Sequence, residues 1–390
     1  MSDSPPVETR FFHFGPEHLP FELSSGESLP EVSLAYETYG ALNQAGDNAI
    51  VVFHALSGSQ HAAGTNPAVP GAEAFWTKEC HEGWWDAFIG PNRALNTDKF
   101  CVICVNYIGG CYGSTGPSSL HPETGKPYGG AFPSLSFLDL ARSQKRLLDH
   151  IGVTRLHALI GASVGGMIAL SFATHYPELV EYVALIGSGT SLSSLQRIHN
   201  YEQICAIQLD PHFNHGDYYG QASRPEHGLS LARIVAHKTY VSIQTLEQRA
   251  SSEIIQPNPD SNLYQLNHQV ESYMNNKGGR FVQRFDANTY LRVMEAWQRF
   301  DLAKENGCGS IVEALRKCRH QKYMVFSIDS DVCFYPDEQL DMVQQLKEAD
   351  VPCRYLTVHS DKGHDSFLLE PELFTPYLAY MLEHDWEFGK

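Results

Sequence analysis

The chain lacks the marks of several large protein classes. No run of lysine or arginine breaks its acidic balance: 28 Lys and Arg stand against 45 Asp and Glu, a formal charge of −17. Nucleic-acid binders usually present a basic face, so that class is not expected. The net total still allows a local basic pocket for an anionic ligand. No stretch reaches the about 18 apolar residues that a membrane span needs. The opening MSDSPPVETRFF has neither the basic nor the apolar region of a secretory signal. Metal motifs are also missing: there is no H-E-x-x-H and no second C-x-x-C. The single C-x-x-C, Cys101 and Cys104, falls within FCVICVNYI, which reads as a buried strand. Residues at that spacing on a strand point to opposite faces, so a shared metal is not expected. Nine cysteines, an odd number without a disulfide framework, fit a reducing cytoplasmic setting.

What is present is ordinary globular material. Hydrophobic residues make up 43% and charged residues 19% of the 390. That length suffices for one large α/β domain, or for a core with an inserted unit. The first 50 residues alternate apolar and polar side chains, the period of antiparallel strands. NAIVVFHAL (48–56) and FCVICVNYI (100–108) are continuous apolar runs, as expected of strands buried on both faces. SLSFLDLARSQKRLLDHIGV (134–153) has helical spacing. RLHALIGAS (155–163), the helix VGGMIALSFATHYPELV and EYVALIGSG (181–189) continue the alternation. Such alternation predicts a mostly parallel, doubly wound sheet.

The rhythm stops near residue 190. SLSSLQRIHNYEQICAIQ, GLSLARIVAHKTYVSI and ANTYLRVMEAWQRFDL each read as helices, with no buried strand run between them. Alternation resumes with the strand KYMVFSIDS (322–330), the helix DEQLDMVQQLKEA, the strand CRYLTVHS (353–360) and a last helix TPYLAYMLEHDWEF. The expected organisation is an α/β core from 1–189 and 316–390, interrupted by a helical insertion at 190–315 that covers it.

Gly161-Ala162-Ser163-Val164-Gly165 matches G-x-S-x-G between a buried strand and a helix. That context suits a nucleophile elbow, a sharp strand-to-helix turn whose flanking positions must be small. The alternative is a glycine-rich turn with an idle serine. A serine hydroxyl needs a base, and in this arrangement the acid and the histidine follow in the order Ser, Asp/Glu, His. Asp331 lies just past the strand KYMVFSIDS, whereas Asp329 sits at its edge and Asp337 follows Pro336 in a helix start. His364 lies in the loop Lys-Gly-His-Asp-Ser-Phe, whereas His359 ends a strand and His384 falls in the terminal helix. Ser163, Asp331 and His364 are therefore the expected triad. Oxyanion donors are expected from the backbone N–H of Val164 and, from the loop after NAIVVFHAL, of Leu56.

Several segments together resemble the homoserine O-acyltransferases of the α/β-hydrolase fold, of homoserine O-acetyltransferase type. They include LAYETYGALN (34–43), FHALSGSQHAAG (53–64), WWDAFIGPNRALNTDKF (84–100), NYIGGCYGSTGP (106–117), GLSLARIVAHKTYVSI (228–243), GGRFVQRFDANTYL (278–291), SDVCFYP (330–336) and GHDSFL (363–368), spread over nearly the whole chain. The resemblance implies transfer of an acyl group from an acyl-CoA, acetyl-CoA before succinyl-CoA, to L-homoserine through an acyl-Ser163 intermediate; acyl transfer to serine and ester or thioester hydrolysis are the alternative readings. It implies no tightly bound cofactor and no metal. It also implies that Arg233, Tyr240 and Asp365 hold the amino acid, that the 190–315 insertion is a helical lid, and that two copies pair through it. Many members carry Met after the nucleophile, where this chain has Val164. That leaves the N–H chemistry intact and bears on the shape of the acyl pocket.

Overall fold

The computed structural model describes residues 6–15, 20–255 and 264–384. Twelve strands and twelve α-helices follow one another along it. Strand β1 (Arg10–Phe14) pairs antiparallel with β4 (Val32–Tyr39), and β2 (Phe21–Glu22) with β3 (Ser28–Leu29) forms a small ribbon between them. Next come β5 (Ala49–Phe53), the short parallel pair β6 (Ile89–Gly90) and β7 (Leu95–Asn96), and β8 (Cys101–Val105). After helix α1 (Phe137–His150) come β9 (Leu156–Ala162), helix α2 (Val164–His175) and β10 (Val180–Ile186). The last strands are β11 (Lys322–Ile328) and β12 (Cys353–Val358).

Eight of these strands make one sheet in the order β1-β4-β8-β5-β9-β10-β11-β12. From β8 to β12 every pairing is parallel, and β4 joins antiparallel. The apolar runs read from the sequence are its centre: each residue of β5 and of β8 is buried. Two apolar cores lie on its two faces. One gathers α1, α2 and the residues of helix α10 (Pro336–Glu348), the other helix α12 (Thr375–Glu383) with Trp85 and Phe88. Cys101 belongs to the first core and Cys104 to the second, as strand geometry requires. The sheet therefore fixes a single edge, the carboxyl ends of β5, β9, β10 and β11, where loops converge.

Between β10 and β11 the chain is helical: α3 (Ser194–Gln208), α4 (Glu226–Tyr240), α5 (Ile243–Ala250), α6 (Gln269–Arg284), α7 (Ala287–Arg299), α8 (Leu302–Glu305) and α9 (Ile311–Leu315). The segment GLSLARIVAHKTYVSI is not one helix as read from its spacing. Helix α4 ends at Tyr240 and α5 starts after Ser242, whose hydroxyl accepts from the Thr245 N–H at 3.2 Å. A serine that can cap a new helix outcompetes continuation. The terminal helix α12 stops at Glu383, and residues 385–388 of its predicted span lie outside the described residues. Among the described residues no helix is long and apolar enough to cross a membrane.

Candidate active site

Ser163 connects β9 directly to α2 with φ 58° and ψ −131°, a left-handed conformation that is strained for a serine. Small neighbours make the turn possible. A Cβ on Gly161 would collide with the Gly165 carbonyl, one on Gly165 with the Phe53 carbonyl, and one on Gly166 with the Ser188 side chain. The Ser163 N–H is held by the Ile186 carbonyl at 2.9 Å. Val164 is the first residue of α2, so its N–H has no carbonyl partner within the helix. Its side chain is fully buried.

Asp331 and His364 meet across the ends of β11 and β12. His364 Nδ1 lies 2.7 Å from Asp331 Oδ2, and both side chains are buried. The other carboxylate oxygen accepts from the Cys333 N–H at 2.7 Å and the Phe334 N–H at 2.9 Å, which orients the carboxylate. Burial works to lower the His364 pKa, but the Asp331 charge and hydrogen bond, with Asp365 adding to them, raise it above its ordinary value. The imidazole stacks on Phe334 at 5.4 Å and meets Phe367 edge-on at 5.5 Å. Its Nε2 is buried with no hydrogen-bond partner in the chain. Ser163 Oγ is therefore not yet bonded to it, and in ligand-free sites such bonds commonly tighten only with substrate. Asp329 instead pairs with His359, 2.8 Å away and exposed.

One cavity of about 260 Å³ is lined by Ser163, His364, Leu56, Arg233, Tyr240 and Asp365, and also by Arg284, Tyr112 and Glu79. Six residues read as site candidates thus line one cavity, and Asp331 is bonded to His364. Arg233, on α4, lies over the rings of Tyr240 at 5.2 Å and Phe281 at 4.8 Å. Among the described residues no carboxylate forms a direct ion pair with it, and its guanidinium lines the cavity together with the Asp365 carboxyl. Loss of water raises the Asp365 carboxyl above its ordinary pKa, while Arg233, His364 and Arg249 pull it back. A cation and a carboxylate close to a serine and a histidine suit a zwitterionic amino acid.

Sequence reasoning missed several contributors. Gly187, at the end of β10, has φ +49°, and a Cβ there would stand 3.0 Å from Asp331 Oδ2 and 3.3 Å from His364 Nδ1. With no Cβ, Gly187 lets the chain leave β10 this close to the pair without displacing either partner. Arg284 donates to the Ser57 carbonyl and to the Tyr112 hydroxyl, both at 3.3 Å. Glu37 is buried on β4 and receives His61 Nδ1 at 2.8 Å and the Tyr39 hydroxyl at 2.6 Å. Burial alone would raise the Glu37 pKa, yet bonds and charge from His61, then Tyr39 and Thr9, hold it below its ordinary value. The Tyr39 hydroxyl in turn accepts from the Ala62 and Ala63 N–H groups at 2.7 and 3.1 Å. This network anchors the segment that follows Leu56. No local motif in the sequence announces any of these pairings.

The fold and the strained serine turn define a class. The chain belongs to the α/β-hydrolase fold family, whose family model matches residues 48–371. Comparison with characterised relatives narrows this. A homoserine O-acetyltransferase of Solidesulfovibrio magneticus is 40% identical over 385 residues, covering 97% of this chain and 92% of that one. A homoserine O-succinyltransferase of Alkalilimnicola ehrlichii is 38% identical over 380 residues, covering 96% and 94%. The crystal structure of homoserine O-acetyltransferase from Bacillus anthracis superposes with a TM-score of 0.85 at 27% identity, covering 98% of this chain and 99% of that one. That of esterase E22 also reaches 0.85, at 26% identity over 97% and 100%. Within its fold family the chain belongs to the homoserine O-acyltransferases of the acetyltransferase type.

Proposed function

We propose that this protein is an acyl-CoA:L-homoserine O-acyltransferase with acetyl-CoA as donor, working through an acyl-Ser163 intermediate. The observation that carries the reading is the company Ser163 keeps: a guanidinium, Arg233, and a carboxylate, Asp365, line the same cavity. His364 Nε2 takes the Ser163 proton as Oγ attacks the thioester carbonyl, and Asp331 stabilises the imidazolium. The N–H groups of Leu56 and Val164 receive the oxyanion. The tetrahedral adduct collapses, the C–S bond breaks and CoA leaves as the thiol with that proton. The homoserine γ-hydroxyl then attacks the acyl-serine while His364 accepts its proton and returns it to Ser163 Oγ. Arg233 takes the α-carboxylate with Tyr240 beside it, and Asp365 takes the α-ammonium.

An acetyl donor fits the cavity better than a succinyl donor. A distal carboxylate would need its own cation. Of the two guanidiniums lining the cavity, Arg233 serves the amino acid, and Arg284 is engaged by Ser57 and Tyr112. In this reading the helices of 190–315 act as a lid over the 1–189 and 316–390 core, limiting water at the acyl-serine. Two copies pair through it, using the exposed Leu195, Ile198 and Tyr201 along α3 and Leu209 at its C-terminal cap. The nine free cysteines suit a reducing, cytoplasmic setting.

The similarity to esterase E22 favours a second reading, hydrolysis, in which water replaces the amino acid. CoA release decides. Acetyl-CoA and succinyl-CoA are each crossed with homoserine, serine and no acceptor. Fast release that requires homoserine and prefers acetyl-CoA supports the proposal. Release that ignores the acceptor overturns it in favour of hydrolysis.

A further inference from the structure

The loop that carries Leu56 has a second face, turned away from the Ser163 cavity. Behind it lies a small space lined by His54, Asn106 and Thr289. Leu56, Gly58 and Tyr112 also line it, and these three line the Ser163 cavity as well. About 10 Å³ is open there, close to what one water molecule needs. His54, Asn106 and Thr289 are 2%, 1% and 1% exposed. His54 Nε2, Asn106 Oδ1 and Thr289 Oγ1 each lack a hydrogen-bond partner in the chain. Buried polar atoms are rarely left so, because each has lost its hydration.

The hydrogen-bonding sense of the three atoms is specific. His54 Nδ1 lies 2.8 Å from the Ala55 carbonyl, which only accepts, so the proton sits on Nδ1 and Nε2 offers a lone pair. Burial holds this imidazole neutral, with its pKa lowered to about 4. The ring is fixed by stacking on Tyr107 at 3.7 Å. Asn106 Oδ1 is a second acceptor. The Thr289 hydroxyl neighbours Asp286 and helps to lower that carboxyl's pKa, but the carboxylate already takes bonds from Tyr218, Tyr219 and the Thr289 N–H, and Thr289 Oγ1 completes no hydrogen bond to it. Two acceptors and one hydroxyl donor match a single water, which has two protons to give and lone pairs to receive. Among the described residues lining the space there is no carboxylate, which argues against a cation.

We infer that His54, Asn106 and Thr289 form a binding site for one water molecule beneath the loop that presents the Leu56 N–H. That water ties three segments together: the exit of β5 through His54, the exit of β8 through Asn106, and α7 of the insertion through Thr289. It makes Thr289 a positioning residue, linking the helical insertion to one oxyanion donor. This positioning role rests on the acyl-transfer reading, whereas the water site does not.

A high-resolution crystal structure of the full-length protein and of Thr289→Val tests the site. Valine keeps the shape and removes the hydroxyl. The wild type is expected to show density within hydrogen-bond distance of His54 Nε2 and Asn106 Oδ1, and Thr289→Val is expected to lose it. In CoA release, Thr289→Val is expected to lower kcat about three- to tenfold at an unchanged KM for homoserine, through a small displacement of the oxyanion donor. Thr289→Ser should restore both density and rate. No water in the wild type overturns the site, whatever the activity. Water lost in Thr289→Val at an unchanged kcat overturns the positioning role. A wild type without acceptor-dependent CoA release fails the transfer reading, and the diffraction experiment still judges the site.

Discussion

Replacing Gly187 with alanine isolates how much the Asp331–His364 pair depends on the backbone beside it. Two costs are separable. At φ +49° an alanine is strained by about 1 kcal/mol. The new Cβ would also stand 3.0 Å from Asp331 Oδ2 and 3.3 Å from His364 Nδ1 and Cε1, so one partner must shift by a few tenths of an ångström. Asp331 has little freedom, being held by the Cys333 and Phe334 N–H groups. The Gly187 N–H is itself tied to the Phe326 carbonyl at 3.0 Å. The movement therefore falls on the imidazole. A misplacement of about 1 Å costs about 100-fold in rate, so a few tenths should cost about 3- to 10-fold. Gly152 is the control: it has φ +86° and nothing within 4 Å of the added Cβ. Both variants are expected to lose about 1 kcal/mol in urea unfolding from strain alone, Gly187→Ala somewhat more. Only Gly187→Ala should lower kcat in acetyl-CoA-dependent transfer. Equal kcat in the two variants, with Gly187→Ala fully folded, would refute the claim that this glycine serves the pair.

The raised His364 pKa has a signed consequence. The base must be neutral, so kcat/KM should fall with falling pH along a limb centred above the about 6.5 of an ordinary histidine. Its contribution to stability runs the other way, present below that ordinary value and lost as pH rises through the folded one. A limb centred below 6.5 in initial-rate profiles would contradict the ordering. Arg233→Met should cut kcat/KM for homoserine about 10- to 150-fold, the worth of a charged hydrogen bond, while p-nitrophenyl acetate hydrolysis stays within about twofold. Parallel losses in both assays would refute the clamp. Burial pushes the Glu305 carboxyl from 4.5 up to about 7. Stability should therefore decline as pH rises between those values, by up to about 3 kcal/mol. Glu305→Gln keeps an acceptor for the Leu138 N–H and should flatten that decline in melting curves. Ile198→Glu, on the exposed face of α3, should turn a dimer into a monomer in sedimentation, and an unchanged mass would count against pairing through that face.

The central sheet was legible because its signal is local. Strands such as Ala49–Phe53 and Cys101–Val105 are buried along their whole length, and burial on both faces writes itself as an uninterrupted apolar run. The serine turn was legible for a related reason. Its steric demands fall on Gly161 and Gly165, within two residues of Ser163, so the constraint and its cause share one pentapeptide. Asp331 and His364 could be read apart from Asp329 and His359 because the difference between a strand edge and the loop beyond it is also a local signal. The structure pairs them in just that division, Asp331 with His364 and Asp329 with His359.

What stayed hidden depends on contacts that no short window contains. Gly187 reads in sequence as one glycine after an apolar strand. Its reason for being glycine, the Asp331 carboxylate and the His364 ring, arrives from far along the chain. Arg284 reads as the basic last turn of an amphipathic helix, and only the fold brings it to the Ser57 carbonyl. Glu37 looks like a polar residue on a half-exposed strand until His61, Tyr39, Thr9 and Asn66 close around it. The break between α4 and α5 was lost differently: Val241 and Ser242 continue an acceptable helical pattern, and a capping hydroxyl overrides it. Ser163, Asp331 and His364 sit at local punctuation, at strand ends and turns, whereas Arg233 and Tyr240 lie on α4 and were reached only through the family resemblance. The residues that hold them in place are chosen by neighbours distant in sequence. A single sequence therefore yields the actors of this site more readily than the scaffold that aims them, and Gly187→Ala, which perturbs only the scaffold, is the more searching test of the two.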